Sequence, residues 1–436
     1  MRHGVQTAPL GRWIDPALAY AAVCGDSDSA FWLDSGADAT TGTSYLGLAA
    51  AVITRFEGPV LEWLSSALRE SSAEASPQPA LGYVGWLGYE LRGETMGVTV
   101  AHRSRYPDAA WLRVERALAF DHATRTVTLL ARADIEEWRG VVEQALAEVN
   151  PVAELIETPP DQLPATWAYT DDEYLAMIAE CQRAITAGDA YQLCLTTEAS
   201  VAVSPDPVVT YLALRSSSPT HHGALIRAGE VSLLSASPEQ FLSVSPAGVV
   251  TTSPIKGTRP RGATEARDWL ERSELEGSAK ERAENVMIVD LMRNDLARVS
   301  RPGSVEVTSL LAVESYAQVH QLVSTVRGQL AEGLTGIDAI AACFPAGSMT
   351  GAPKFSATQI LERLENRARG VYSGVFGYLG FDGSVDLAMV IRSIIIDPSG
   401  STVGTGGGIT ALSVPAEELA ETKLKAAALL TVLGAE

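Results

Sequence analysis

Glu281 and Glu284 lie three residues apart in KERAEN, and Glu418 and Glu421 repeat that spacing in PAEELAET. On a helix, residues three apart share a face, so each pair would present two carboxylates together. Two such faces opposed across a cleft would offer hard oxygen donors to Mg2+, which keeps several waters and often bridges to an anionic ligand. Each pair also has a plainer reading. Ser278-Ala-Lys-Glu281 matches a capping box, in which Glu281 bonds the first helical amide, and Glu418 with Glu421 reads alone as a solvated face. Lys425 follows Glu421 by four residues. It is either an ordinary helical ion pair or a cation sharing the glutamates' face to hold a substrate carboxylate.

Three further charges interrupt apolar runs. Glu239 follows a proline between VSLLSAS and QFLSV, and Lys256 stands between isoleucine and glycine in TTSPIKGTRPRG. Strand-like segments that admit one acid and one base point to a site that uses both. Arg392 lies in DLAMVIRSIII. A guanidinium in so apolar a strand needs an anionic partner, a ligand or a structural salt bridge. Two glycine-rich stretches are not nucleotide sites. FPAGSMTGAPKF has Pro353 where a phosphate loop needs its glycine–lysine pair, and VGTGGGIT lacks the spacing of a dinucleotide fingerprint. Their glycines still let backbone amides approach a small carboxylate.

The elements that must carry these residues are legible in outline. TDDEYLAMIAECQRAITAG reads as a helix capped by Thr170 or Asp171 and stopped at Gly188. SAKERAENVMIVDLMRNDLARV reads as a second helix, SATQILERLENRARG as a third with a glycine end, and the last helix starts near Pro415. GALIRAGEVSLLSASPEQFLSVSPAGVVTTSP reads as a hairpin meander, and GVFGYLGFDGSVDLAMVIRSIIID as a hairpin turning at Asp382-Gly383. Strand runs kept apart from helices indicate an α+β fold. Four prolines in NPVAELIETPPDQLPATW mark residues 151–167 as a linker between regions 1–150 and 168–436.

Composition narrows the setting. A length of 436 residues, 46% hydrophobic and 20% charged, suits an ordinary globular protein of roughly two or three domains' worth of chain. The net charge of −20 argues against a nucleic-acid partner. No run approaches the ~18 apolar residues of a membrane helix, and MRHGVQTAPLGRW lacks a secretory core. The four cysteines are far apart and form no CxxC pair, which fits a reduced, cytoplasmic location without structural zinc.

SASPEQF, PIKGTRPRG, KERAENVMIVDLMRNDLARV, VHQLVSTV, FPAGSMTGAPK, GVFGYLGF, IRS and GTGGGITALSVPAEELAETKLKA occur in the order found in the chorismate-utilising enzymes. The resemblance covers most of residues 168–430, and FWLDSG with GWLGYEL extends it more loosely toward the N-terminus. It implies a large antiparallel two-sheet sandwich flanked by helices, with the active site in a cleft between the sheets. It makes Glu239 the general acid for loss of the chorismate C4 hydroxyl, and it matches Glu281, Glu284, Glu418 and Glu421 to Mg2+-binding glutamates. Arg392, Lys425 and Tyr378, with the backbone around Gly407, would bind substrate carboxylates. His320 would lie near the ring and leaving group, and Ser348 would contact the substrate.

Positions within the resemblance narrow the reaction. Isochorismate and salicylate synthases carry a water-activating lysine where this chain has Gln192, so water addition is disfavoured. Anthranilate synthases usually read PIAGT, whereas Lys256 here gives PIKGT, the form of the branch that makes 4-amino-4-deoxychorismate, precursor of p-aminobenzoate for folate. Ser348 with Thr350 also resembles that branch. If Lys256 occupies C2 by displacing the C4 hydroxyl, ammonia must enter at C4 and expel the lysine. Such a lysine must be neutral to attack, so partial desolvation or a nearby cation is expected around it. The competing reading is anthranilate synthase component I, in which ammonia enters at C2 and pyruvate is lost. A catalytically silent tryptophan- or chorismate-binding regulator ranks below both, because Glu239, His320, Arg392 and all four glutamates are present. No cysteine stands in a glutaminase context, so a separate glutamine amidotransferase subunit would supply ammonia. FWLDSG resembles a tryptophan-binding segment, which makes Asp34 and Ser35 candidates for that ligand. Asp34 departs from the Glu common there and puts feedback in question.

Overall fold

The computed structural model describes residues 4–71, 81–148, 162–316 and 319–436. Its strands form two antiparallel sheets, one of 12 strands and one of 10. Both regions inferred from the sequence enter both sheets. Ser29–Asp34 pairs with His222–Ala228 in the larger sheet, and Gly82–Leu87 pairs with Val375–Gly380 in the smaller. Most of the expected linker falls outside the described residues. Its last part, Thr166–Trp167, is a short strand against Gln192–Val201.

Alternation along the strands separates two faces. In the larger sheet Phe31, Ala224, Ile226 and Leu233 point toward the smaller sheet, where they meet a core that includes Trp86, Trp111, Leu242 and Phe376. Burial of each large apolar side chain contributes roughly 1.5–3 kcal/mol. Their neighbours Ala30, Trp32, Leu225 and Leu234 point outward. Helices Pro16–Cys24, Ile135–Glu148, Pro207–Ser217 and Pro415–Val432 cover that outer face through Tyr20, Trp138, Tyr211 and Leu429. Helix Ala279–Ala297 lies on the smaller sheet through Ile288, Val289 and Met292.

Local signals hold at most element ends. Thr170 and Glu173 form a capping box, and Gly188 closes that helix at φ +86°. Gly383 turns the hairpin at φ +85°. Helix Lys354–Glu365, expected to end on glycine, stops instead at Asn366, which takes the left-handed conformation at φ +43°; asparagine tolerates that region better than most residues.

Two further expectations are corrected. The meander is two hairpins in different sheets: His222–Ala228 with Val231–Ser237 in the larger, and Gln240–Val244 with Val249–Ser253 in the smaller. Arg392 is not in a strand. It lies between Val385–Met389 of the smaller sheet and Ser393–Asp397 of the larger, at φ +50°. Both inner faces are apolar, so the hydrophobic signal runs on where the chain changes sheet.

Candidate functional site

The chain passes from the larger to the smaller sheet at Pro238-Glu239 and returns at 390–392, and the two crossings lie side by side. Met389 N–H donates to Glu239 O, and Ala236 N–H to Arg392 O, each at 3.0 Å. Glu239 and Arg392 are therefore fixed together by backbone although 153 residues separate them (392 − 239). Glu239 is buried. Burial raises its carboxyl above the usual range, while Lys256 and the Ser348 hydroxyl favour the anion. Burial that shifts a carboxyl toward its protonated form favours its use as a proton donor. Arg392 reaches solvent, and among the described residues no carboxylate forms an ion pair with it. The walls around it partly desolvate the guanidinium and lower its pKa, opposed by Tyr372 and Glu421. Among the described residues no structural salt bridge explains this arginine.

Lys256 sits on strand Ile255–Pro260, half-buried and without an ion-pair partner among the described residues. The register slips between Lys256 and Thr258, the mark of a bulge. Gly257 there adopts φ +77°, and a Cβ on it would lie 2.7 Å from Leu275 Cδ1 and 3.0 Å from Glu281. Only glycine fits that bulge without displacing the first glutamate of the ERAEN helix. The charged groups within reach of Lys256 include the carboxylates Glu239, Glu284 and Glu421; of the two surroundings expected for it, partial burial or a nearby cation, the half-buried strand position supplies the first.

The four spaced glutamates occupy two helices, Ala279–Ala297 and Pro415–Val432. Burial raises the Glu284 carboxyl, and the charges of Glu281 and Glu418 add to the effect. The capping box at Ser278 is only half made. Ser278 Oγ accepts from Glu281 N at 3.4 Å, while the Ser278 amide donates to Leu275 O. The Glu281 carboxylate lies 3.8 Å from Arg259 instead. Glu418 accepts from Ser413 Oγ at 2.7 Å and faces Lys280 at 3.4 Å. Glu421 pairs with Lys425 at 2.8 Å, and Lys425 also donates to Gly406 O at 3.0 Å. This donor set is all carboxylate oxygen, the chemistry Mg2+ takes. Among the described residues no three of these groups converge as direct ligands, so waters or a substrate carboxylate would complete the sphere.

Strand Gly400–Ile409 owes its glycines to close approach. A Cβ at Gly404 would enter the Tyr372 ring, one at Gly408 would overlap the Gln192 amide, and one at Gly407 would lie 3.3 Å from Glu418 Oε2. Gln192, on strand Gln192–Val201, is buried with neither side-chain polar atom hydrogen-bonded. Gly408→Ala is expected to push that amide aside and lower kcat by about 10²-fold, the cost of a small misplacement near reacting atoms. The melting temperature should hardly move, because a flexible side-chain end gives way. Parallel kinetics and thermal melts check both halves. Ser348 lies buried in the turn Gly347–Met349 beside Glu239.

Other candidates lie elsewhere. Tyr378 stands edge-on to Tyr45, ring centroids 6.3 Å apart, and Asp386 is close by. The tyrosine beside Arg392 is Tyr372, buried and with its hydroxyl pushed up in pKa by burial; sequence reasoning missed it six residues upstream in the same segment. His320 is buried with both nitrogens engaged, Nδ1 2.8 Å from Ser315 Oγ and Nε2 3.0 Å from Asp268 Oδ1. Arg261 grips the same Asp268 at 2.7 and 2.9 Å and holds its carboxyl low. His320 thus ties strand Val319–Gln329 to helix Glu265–Gly277 and turns neither nitrogen to a ligand.

Asp34 is spent internally. Arg215 Nε donates to it at 2.6 Å, Ser44 Oγ at 3.1 Å and Tyr211 OH at 3.3 Å. The Ser35 amide bonds Ser44 Oγ at 3.0 Å. An amino-acid ammonium would find that carboxylate already neutralised. Arg215→Met should cost about 3 kcal/mol in urea unfolding, since it strands a buried carboxylate.

An antiparallel two-sheet α+β scaffold thus brings a buried acid, an unpaired arginine, a lysine and four carboxylates together where the chain changes sheets. A family model described as chorismate binding enzyme matches residues 28–431. The chain belongs to this family of chorismate-binding enzymes. It is 40% identical to an aminodeoxychorismate synthase of Streptomyces griseus over 97% of this chain and 63% of that protein. A Streptomyces pristinaespiralis protein of the same name is 39% identical over 96% and 64%. This chain therefore spans less than two thirds of those two relatives. Anthranilate synthase component 1 of Streptomyces coelicolor is 36% identical over 96% of this chain and 86% of that protein. Among solved structures, anthranilate synthase component I from Streptococcus pneumoniae superimposes with a TM-score of 0.77 at 28% identity, covering 97% of this chain and 98% of that one.

Proposed function

We propose that the chain aminates chorismate at C4 with ammonia, giving 4-amino-4-deoxychorismate, the precursor of p-aminobenzoate. The observation that carries this reading is the placement of Lys256, unpaired and within electrostatic reach of the buried acid Glu239. The names of the Streptomyces relatives support it.

Chorismate carries two carboxylates, and the unpaired Arg392 beside Tyr372 suits one of them. Lys425 and the strand around Gly407 suit the other. With substrate seated, Lys256 gives its ammonium proton to water, the freed amine bonds to C2, the ring double bonds shift, and the C4–O bond breaks. Glu239 gives its proton to the departing hydroxyl, which leaves as water. Ammonia then bonds to C4, the double bonds shift back, and the C2–N bond to Lys256 breaks with its electron pair returning to the lysine. The new C4 ammonium loses a proton that restores Glu239. Chorismate and ammonia become 4-amino-4-deoxychorismate and water, and both side chains are regenerated. Glu281, Glu284, Glu418 and Glu421 would hold Mg2+, which when bound supplies charge neutralisation for a ring carboxylate and for the acids around Lys256. Gln192, an amide rather than a base, leaves water unactivated.

The four cysteines are all buried, so none is placed as an exposed glutaminase nucleophile. A glutamine amidotransferase would supply the ammonia. Relatives named anthranilate synthase component 1 support a second reading, entry of ammonia at C2 with loss of pyruvate. Product analysis separates the two. Purified protein with chorismate, Mg2+ and ammonium should yield p-aminobenzoate only after an aminodeoxychorismate lyase is added. Fluorescent anthranilate formed without lyase would replace the first reading by the second.

A further inference from the structure

Lys280 is the described residue whose side chain joins the two glutamate-bearing helices by an ion pair. Its Nζ lies 3.4 Å from Glu418 Oε1, across from its own helix Ala279–Ala297 to Pro415–Val432. Glu281 follows it directly in sequence, and Glu284 lies four residues on, one turn along the same helix face. An ammonium thus stands among three of the four carboxylates suited to a divalent cation. Its partner is asymmetric. Glu418 is buried, 6% exposed in its side chain, whereas the lysine is 48% exposed. Glu418 Oε1 takes both Lys280 and Ser413 Oγ, while Oε2 faces the open side of Gly407. A buried carboxylate without a counter-charge is costly, but the lysine's flexible stem can swing its head into water at little cost.

We propose that Lys280 is an internal counter-ion for the glutamate cluster, which a divalent cation must displace in order to bind. The inference rests on the metal reading of the four glutamates and adds a competitor to it. Lys280 neutralises Glu418 and tethers the two helices while the cluster holds no metal. Once the cation arrives, the ammonium is redundant beside it and is expelled to solvent. Apparent metal affinity is therefore set by the difference between two occupants of one cluster, not by the carboxylates alone.

The test measures Mn2+ binding to the whole chain by the loss of the free-ion electron paramagnetic resonance signal, without chorismate. Lys280→Met should bind Mn2+ about 2–5-fold more tightly than wild type, the range a partly exposed ion pair spans. Lys280→Arg keeps the charge and should stay near wild type. Lys423→Met serves as control, because Lys423, on helix Pro415–Val432, pairs at 2.6 Å with Asp171 of helix Asp171–Ala187. It should not alter Mn2+ affinity. Unchanged or weaker binding by Lys280→Met, with wild type binding normally, overturns the proposal alone. Failure of wild type and variant alike to bind Mn2+ overturns the metal reading, and the proposal with it. Far-UV circular dichroism guards against misfolding, which an exposed first-turn residue should not cause.

Discussion

Lys256→Ala should lower formation of 4-amino-4-deoxychorismate by roughly two orders of magnitude, the lower end of what one positioned reacting group contributes. What remains should shift toward products aminated at C2, because nothing then occupies that carbon when the C4 hydroxyl leaves. The substitution is expected to be structurally quiet. Lys256 makes no ion pair within the described residues and is half-buried on a strand whose bulge depends on Gly257 rather than on the lysine side chain. Chromatography of the products, with and without lyase, reads both effects. Intact-protein mass spectrometry of wild type quenched with chorismate and no ammonia should show an adduct, absent from the variant. A variant that makes the 4-amino product at a wild-type rate would remove the covalent step and leave Lys256 an electrostatic role.

Glu239→Gln should cost about 10²–10⁴-fold in kcat, the range for loss of a general acid. The pH dependence carries the sharper information. Burial raises the Glu239 carboxyl, so the acid form survives to higher pH than an exposed glutamate would allow. Activity that needs this form is present below the raised pKa and lost as pH climbs through it. The alkaline limb of the wild-type kcat profile should therefore disappear in Glu239→Gln, at a uniformly low rate. A profile whose alkaline limb survives the substitution would assign that limb to another group. Replacing a carboxyl whose charged form burial disfavours also relieves a burial cost, so the variant should be no less stable than wild type.

Much of the local structure was legible from short-range rules. Thr170 with Glu173, Gly188 and the Asp382-Gly383 turn act within a few residues of themselves, and their physics is complete in those residues. The paired glutamates were readable for the same reason: helical periodicity places positions three apart on one face whatever surrounds the helix. The family likeness added roles by position. It could not show that Asp34 is held by Arg215, 181 residues away, or that His320 is engaged by Asp268, 52 residues away.

Tyr378 and Tyr372 make the same point within one segment. Both precede Arg392, and nothing in the spacing alone says which one approaches it. The choice follows from a change of sheet. Strand Val375–Gly380 carries Tyr378 through the smaller sheet toward Tyr45, while Tyr372, ahead of that strand, packs against Gly404 of the larger sheet near the crossing. The residue types, their helical spacing and the antiparallel α+β class follow from the order of amino acids, because propensity, capping and periodicity are local. Which acid meets which base was settled in three dimensions. Two sheets with equally apolar inner faces have the same one-dimensional pattern, and only their packing brings Glu239 and Arg392 to adjacent crossings and places Lys280 between two helices of carboxylates.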